Sequence, residues 1–258
     1  MSRVIVCANQ KGGVAKTTTT VNLGIGLAKK GMRVLVIDND PQSSLTVALG
    51  FQNPAKLDYT MTTVLNHVIE EEEFDPRECI LHHKEGVDLL PSNATLNSVE
   101  TALLNVMGGE TILSEYIEMI RNDYDFIIID CSPNLGMLTF NALAAGDEVI
   151  IPVQAAYLPV KGLELLLKTI SRIQRKVNKK LTIRGILITM VDYRTNYAKD
   201  ITDMVQKTYG NDIYMFENVI PHSVRAAEAS ALGVSVYVHD PKGTVAAAYD
   251  ALTWEVMA

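Results

Sequence analysis

The sequence predicts an α/β fold: a doubly wound, mostly parallel sheet with helices on both faces. Apolar runs at 3–8, 33–38, 87–90, 125–130, 148–153, 183–190 and 216–220 alternate with helical stretches, the pattern of repeated strand–helix units. The runs Phe126 to Ile129 and Val149 to Val153 are apolar without alternation, as expected of strands covered on both sides. A length of 258 residues with 48% hydrophobic content suffices for a layered core, and residues 1–258 are read as one domain with no separate N-terminal DNA-binding domain.

The first strand, Arg3 to Ala8, leads into Asn9-Gln10-Lys11-Gly12-Gly13-Val14-Ala15-Lys16-Thr17-Thr18 and then into a helix from about Thr17 to Lys30 closed by Gly31. Small residues between a strand and a helix let backbone N–H groups converge on a polyphosphate at the positive helix end. Gly12 and Gly13 suit the positive φ angles of such a nest, Lys16 the β and γ oxygens, Thr17 a magnesium ion, and Thr18 the α phosphate. The strict pattern G-x-x-x-x-G-K-[ST] fails at Gln10 and at Ala15. A left-handed backbone at position 15 would cost about 1–2 kcal/mol for its Cβ, whereas a helical one would cost nothing, and both readings stand.

The second strand, Arg33 to Ile37, ends on Asp38-Asn39-Asp40-Pro41-Gln42, and a later one, from Phe126 to Ile129, ends on Asp130-Cys131-Ser132-Pro133. A lone Asp in such a place is commonly a helix cap. Three of them at strand ends beside a phosphate loop instead suggest a metal and water site.

Cys7, Cys79 and Cys131 are odd in number and widely spaced, which suits a reducing cytoplasm and excludes a readable disulfide framework or metal site. No signal peptide or membrane-spanning stretch is expected. The final segment from Val245 to Ala258 has no Lys or Arg, so a packed helix is expected and membrane binding is not. The run Glu70 to Glu73 reads as a solvated helix end or loop, and Met107, Met119, Met137 and Met190 as core residues.

Charge is uneven. The chain carries −7 overall, yet Lys161 to Arg225 holds twelve Lys and Arg against six Asp and Glu. Lys168, Arg172, Arg175, Lys176, Lys179, Lys180 and Arg184 crowd together there, with Leu165, Leu166, Leu167, Ile170 and Ile173 expected to face the core. Such a face is either the solvated side of an amphipathic helix or a surface for nucleic-acid phosphates.

The string K-G-G-V-x-K-T-T from Lys11 resembles the deviant Walker A motif of the ParA/MinD ATPases. Asp38-Asn39-Asp40-Pro41-Gln42 and the segment Tyr124 to Pro133 resemble that family's next two motifs. The runs Val149 to Gln154, Leu187 to Asn196 and Ile220 to Arg225 resemble later segments and favour the ParA/Soj branch over MinD. The resemblance implies an Mg²⁺-dependent ATPase that forms an ATP-bound sandwich homodimer. It implies that Lys11 reaches the partner's phosphates, that Lys16 and Asp40 act in hydrolysis, and that Gly12 to Thr18, Met190 and Pro221 hold the nucleotide. Thr17, Asp38 and Asp130 would hold the metal. Arg194 and Arg225, with Lys176, Lys179 and Lys180, would bind double-stranded DNA non-specifically. A ParB-like centromere-binding protein is the implied partner, and a nucleoid-associated place in a bacterial cytoplasm the implied location. The same residues are compatible with a ParA-like positioning ATPase for a non-DNA cargo, or with a nucleotide-dependent regulatory module that hydrolyses little.

Overall fold

A computed structural model describes residues 2–155, 159–192 and 196–258. The chain runs β1 (Arg3–Cys7), α1 (Lys16–Lys29), β2 (Val34–Asn39), α2 (Ser44–Ala48), α3 (Met61–Ile69), β3 (Leu81–His82), β4 (Asp88–Leu90), α4 (Leu96–Leu103) and α5 (Ile112–Ile120). It continues through β5 (Phe126–Cys131), α6 (Met137–Ala145), β6 (Glu148–Gln154), α7 (Pro159–Lys176), β7 (Thr182–Thr189), α8 (Asn196–Tyr209), α9 (Val224–Leu232), α10 (Val236–His239) and α11 (Thr244–Met257).

The strands form one seven-stranded sheet in the order β3-β4-β2-β5-β1-β6-β7. All pairs are parallel except the short β3 against β4. Alternate residues of the central strands feed two cores. Val4, Val6, Leu35, Ile37, Ile127, Ile129, Val149, Ile151 and Val153 meet α3 to α8, while Ile5, Val34, Val36, Phe126, Ile128 and Ile150 meet α1, α2 and α9 to α11. Both faces being covered is what the unbroken apolar runs of β5 and β6 require.

The segment 216–220, expected as a strand, forms none. Its backbone follows the outer edge of β7 through hydrogen bonds such as Phe216 N to Ile186 O (3.0 Å) and Ile220 N to Ile188 O (2.9 Å), but the bridges are isolated at Ile186–Met215 and Val191–Pro221. Apolar content at 216–220 reflects burial of Phe216 and Ile220 against the second core rather than a continuous ladder. The seventh strand is instead β3, two residues long and too short to show in a hydropathy pattern.

Three side-chain expectations change. Met107 and Met119 are exposed, at 97% and 48%. Leu165 is also exposed, because Leu163, Leu166, Ile170 and Ile173 make the buried stripe of α7 and Leu165 falls on the opposite side of it. The last segment does pack: Val245, Ala246, Tyr249, Leu252 and Val256 of α11 are buried, and Thr19 of α1 shares a 3.2 Å hydrogen bond with Tyr249. Among the described residues no helix is long and apolar enough to cross a membrane. Glu70 to Glu73 lie exposed just beyond α3.

Candidate nucleotide-binding site

β1 lies between β5 and β6, while β2 lies on the far side of β5, so the chain leaving β1 emerges where the winding direction reverses. Ligands of open α/β sheets bind at the carboxyl ends of the strands there. The cleft at that place, about 540 Å³ in volume, is lined by Gly12, Gly13, Ala15, Lys16, Thr17, Thr18, Asp40 and Met190 from the predicted set. It is also lined by Gln42, Ser44, Ala48, Cys131, Pro133 and Ser230. Gln42 and Ser44 could have been suspected from their place after Asp40. Ala48 and Ser230 carry no local signal, because α2 and α9 bring them in only on packing.

The loop is held from several sides. Thr189 Oγ1 at the end of β7 donates to Val14 O (3.0 Å), Cys7 Sγ lies 3.5 Å from Lys16 O, and Asn9 Nδ2 donates to Pro152 O (2.6 Å). Val14 is buried outside the cleft lining, anchoring the loop rather than facing a ligand. Gly13 has the positive φ of a nest (71°), but Gly12 does not. Ala15 is left-handed at φ 65° and precedes α1, whose first turn closes with Thr19 N to Ala15 O at 2.9 Å. Ser43 (φ 57°) and Met190 (φ 56°) are left-handed too. Of the four non-glycine residues with positive φ among the described residues, Ala15 and Met190 line the cleft and Ser43 lies between two lining residues, so backbone strain is concentrated here.

The two lysines differ. Lys16 is 7% exposed and its Nζ donates to Lys11 O at 3.1 Å, inside the loop. Lys11 Nζ donates to Gln154 Oε1 of the same chain at 3.3 Å, and Lys11 N to Asn9 Oδ1 at 3.0 Å.

The carboxylates also separate. Asp130 and Asp38 are register partners on adjacent β5 and β2 and are both buried. Asp130 Oδ2 accepts from Thr17 Oγ1 at 2.6 Å, while its Oδ1 is buried with no hydrogen-bond partner. Burial first, and Asp38 second, push the Asp130 carboxyl well above the usual range, with Thr17 and Lys16 pulling the other way. Burial likewise raises Asp38 against the hydrogen bonds of Thr46. Both Asp38 oxygens are engaged, Oδ2 by Thr46 N (2.8 Å) and Oγ1 (2.6 Å), Oδ1 by Asp40 N (3.3 Å). Asp40 lines the cleft, with Oδ1 accepting Gln42 N at 2.9 Å.

Pro221 is bridged to Val191, next to Met190, but lies outside the cleft lining. Arg194 lies outside the described residues. Arg225 on α9 is 63% exposed and pairs with Glu228 at 3.1 Å, which His239 also contacts at 2.9 Å. Lys168, Arg172, Arg175, Lys176, Lys179 and Lys180 are exposed along the end of α7 and the turn after it. Arg184 is partly covered and donates to Glu255 O at 3.0 Å, so it leaves that face.

A glycine-bearing loop entering a helix, an enclosed lysine and a carboxylate with an unpartnered oxygen, all at the switch point of a parallel sheet, define a P-loop nucleotide-binding protein. Residues 2–183 match the AAA domain family AAA_31. The chain is 39% identical over 258 residues to the sporulation initiation inhibitor protein Soj of Bacillus subtilis (strain 168), covering 100% of this chain and 99% of that one. It is 36% identical over 257 residues to the chromosome partitioning protein ParA of Caulobacter vibrioides, covering 99% and 94%. Among solved structures, cobyrinic acid a,c-diamide synthase from Mycobacterium smegmatis with bound ATP analog and magnesium is similar at a TM-score of 0.85 and 34% identity, over 100% of this chain and 95% of that one. The chain belongs to this AAA domain family and, within it, to the ParA/Soj-type partition ATPases.

Proposed function

We propose that this chain is a partition ATPase that binds MgATP in the cleft, dimerises around it, coats DNA non-specifically, and is released when a centromere-binding partner stimulates hydrolysis. The observation that carries the reading is the unpartnered Asp130 Oδ1, buried behind the Thr17 hydroxyl, which itself lines the cleft together with Lys16. A buried carboxylate resists ionisation until a cation faces it, so these residues fit Mg²⁺. Thr17 and Asp130 would hold the ion, with Asp38 behind them. Bound there, it would neutralise phosphate charge during transfer.

The chain's own groups supply the rest. The loop amides and Lys16 bind the phosphates, with the Lys16 ammonium exchanging Lys11 O for phosphate oxygen. Asp40 orients the attacking water. Lys11 leaves Gln154 and crosses to the phosphates held by a second copy, as a charge delivered in trans. ATP thereby becomes part of the dimer interface.

The exposed cations of α7 and the following turn supply phosphate contacts, and Arg225 adds another. Two such faces on a dimer act together, so affinity for DNA rises when ATP is bound. A disordered basic segment is the kind of stimulating partner that an acidic protein of charge −7 accepts.

The test is binding to random-sequence duplex with ATP, ADP or no nucleotide across a salt series, alongside sedimentation, with Lys11→Ala and Arg225→Ala in parallel. Expected are ATP-dependent, salt-sensitive binding, loss of dimer and DNA binding in Lys11→Ala with monomer ATP affinity retained, and weakened DNA binding in Arg225→Ala. Equal DNA retention in all nucleotide states would replace this reading with a plain DNA-binding module, and an ATP dimer with no retention would point to a non-DNA cargo.

A further inference from the structure

Asp38 is engaged by a side chain that none of the motif residues accounts for. Thr46 on α2 is fully buried, and its hydroxyl donates to Asp38 Oδ2 at 2.6 Å while accepting Ser92 N at 3.0 Å. A threonine hydroxyl has one proton, and the Ser92 amide takes up a lone pair, so that proton is committed to Asp38. The Thr46 amide reaches the same oxygen at 2.8 Å. Asp38 is thus turned toward α2, and its other oxygen is left to grip Asp40 N at 3.3 Å. Ser92 follows β4, and the neighbouring Pro91 O accepts Met61 N at 2.8 Å at the start of α3. One hydroxyl therefore ties the end of β2, the helix after it and the end of β4 to the loop that carries Asp40.

We infer that Thr46 is a positioning residue for ATP hydrolysis, acting through Asp38 to hold the Asp40 loop. The inference rests on the ATPase reading above for its kinetic part only. A hydrogen bond to a buried carboxylate is stronger than a neutral one and leaves a costly vacancy when one partner is deleted. Because Thr46 does not line the cleft, its loss should disturb the geometry of Asp40 and spare the phosphate loop.

Thr46→Val keeps the shape and removes the hydroxyl, whereas Thr46→Ser keeps the hydroxyl. Expected for Thr46→Val is a roughly tenfold fall in kcat with KM for ATP within about twofold of the parent, and Thr46→Ser should stay within about threefold on both. Hydrogen exchange of the nucleotide-free protein supplies a readout independent of turnover: Thr46→Val should speed exchange in peptides spanning Asp40 to Ser44 by about fivefold or more and leave α1 unchanged. Unaltered exchange across Asp40 to Ser44 would overturn the inference, as would equal losses in the valine and serine variants. A parent without turnover would remove the ATPase reading, and the exchange arm would still decide the role of Thr46.

Discussion

Ala15 concentrates the residue-scale physics of this protein. Its Cβ sits in a left-handed backbone at φ 65°, the conformation that glycine adopts without strain. Replacement by glycine relieves about 1–2 kcal/mol of strain but adds about 0.4–1 kcal/mol of unfolded-chain entropy. Ala15→Gly should therefore stabilise the fold by about 0.5–1 kcal/mol in thermal melts and raise ATP affinity by less than about tenfold. A gain beyond about a hundredfold in a fluorescent-nucleotide titration would mean that the natural loop binds poorly. A loss would mean that the left-handed turn is not kept. The order of residues shows that a phosphate loop is present, but the handedness at position 15 follows from how β7 and β1 clamp it through Thr189 and Cys7.

At the scale of elements, α1 shows how close packing shapes composition. A Cβ on Gly26 would meet Tyr237 Oη at 2.7 Å and, closer still, Thr253 Oγ1 on α11. Thr253 cannot swing aside freely, because it is β-branched and its hydroxyl donates to Tyr249 O at 2.7 Å. Alanine gains about 1 kcal/mol of helix propensity and loses about 1–3 kcal/mol to overpacking. Gly26→Ala is expected to lower stability, by about 1 kcal/mol in urea titration.

Glu255, two residues beyond Thr253 in the last turn of α11, accepts from Tyr214 Oη (2.7 Å), Glu217 N (2.7 Å) and Asn218 Nδ2 (2.7 Å), pinning the segment that leads to Pro221. Burial opposes its ionisation, but the bonds from Tyr214, Asn218 and the two amides outweigh it and hold the carboxyl below the usual glutamate value. A depressed carboxyl stabilises the fold above its unfolded pKa, near 4.3, and that contribution fades as pH falls through the folded value. Glu255→Gln should cost about 1 kcal/mol near pH 7 and show a flatter loss of stability below about pH 4 than the parent. Parallel melting curves for the two proteins across that range would remove the argument.

The elements differ in how legible they were. β1, β5 and β6 announce themselves because both faces are buried. The run 216–220 misleads because apolar residues mark burial and not hydrogen-bond continuity. Met107 and Met119 mislead for the converse reason, since exposed apolar side chains are ordinary on folded surfaces.

Over the whole molecule, charge is arranged against its average. The net charge is −7, yet the end of α7 and its following turn present Lys176, Lys179 and Lys180 to solvent. If these three each neutralise one phosphate, replacing all of them by alanine should lower the slope of log affinity against log salt by roughly 2–3. Filter binding of the ATP-bound protein would measure it. An unchanged slope with DNA still bound would move the contact face elsewhere. Nucleotide affinity should be unaltered, because none of the three lines the cleft.

The sequence alone determined the strand order of motifs, the loop before α1 and the acidic residues at strand ends, since these depend on spacing along a few residues of backbone. Only the tertiary structure decided that Ala15 is left-handed, that Lys11 rests on Gln154, that Ala48 and Ser230 complete the cleft, and that Asp130 keeps a free oxygen while both oxygens of Asp38 are engaged. The reason is distance along the chain. Which lone pair of a buried carboxylate is satisfied depends on donors that folding brings near, such as Thr17, which is 113 positions from Asp130.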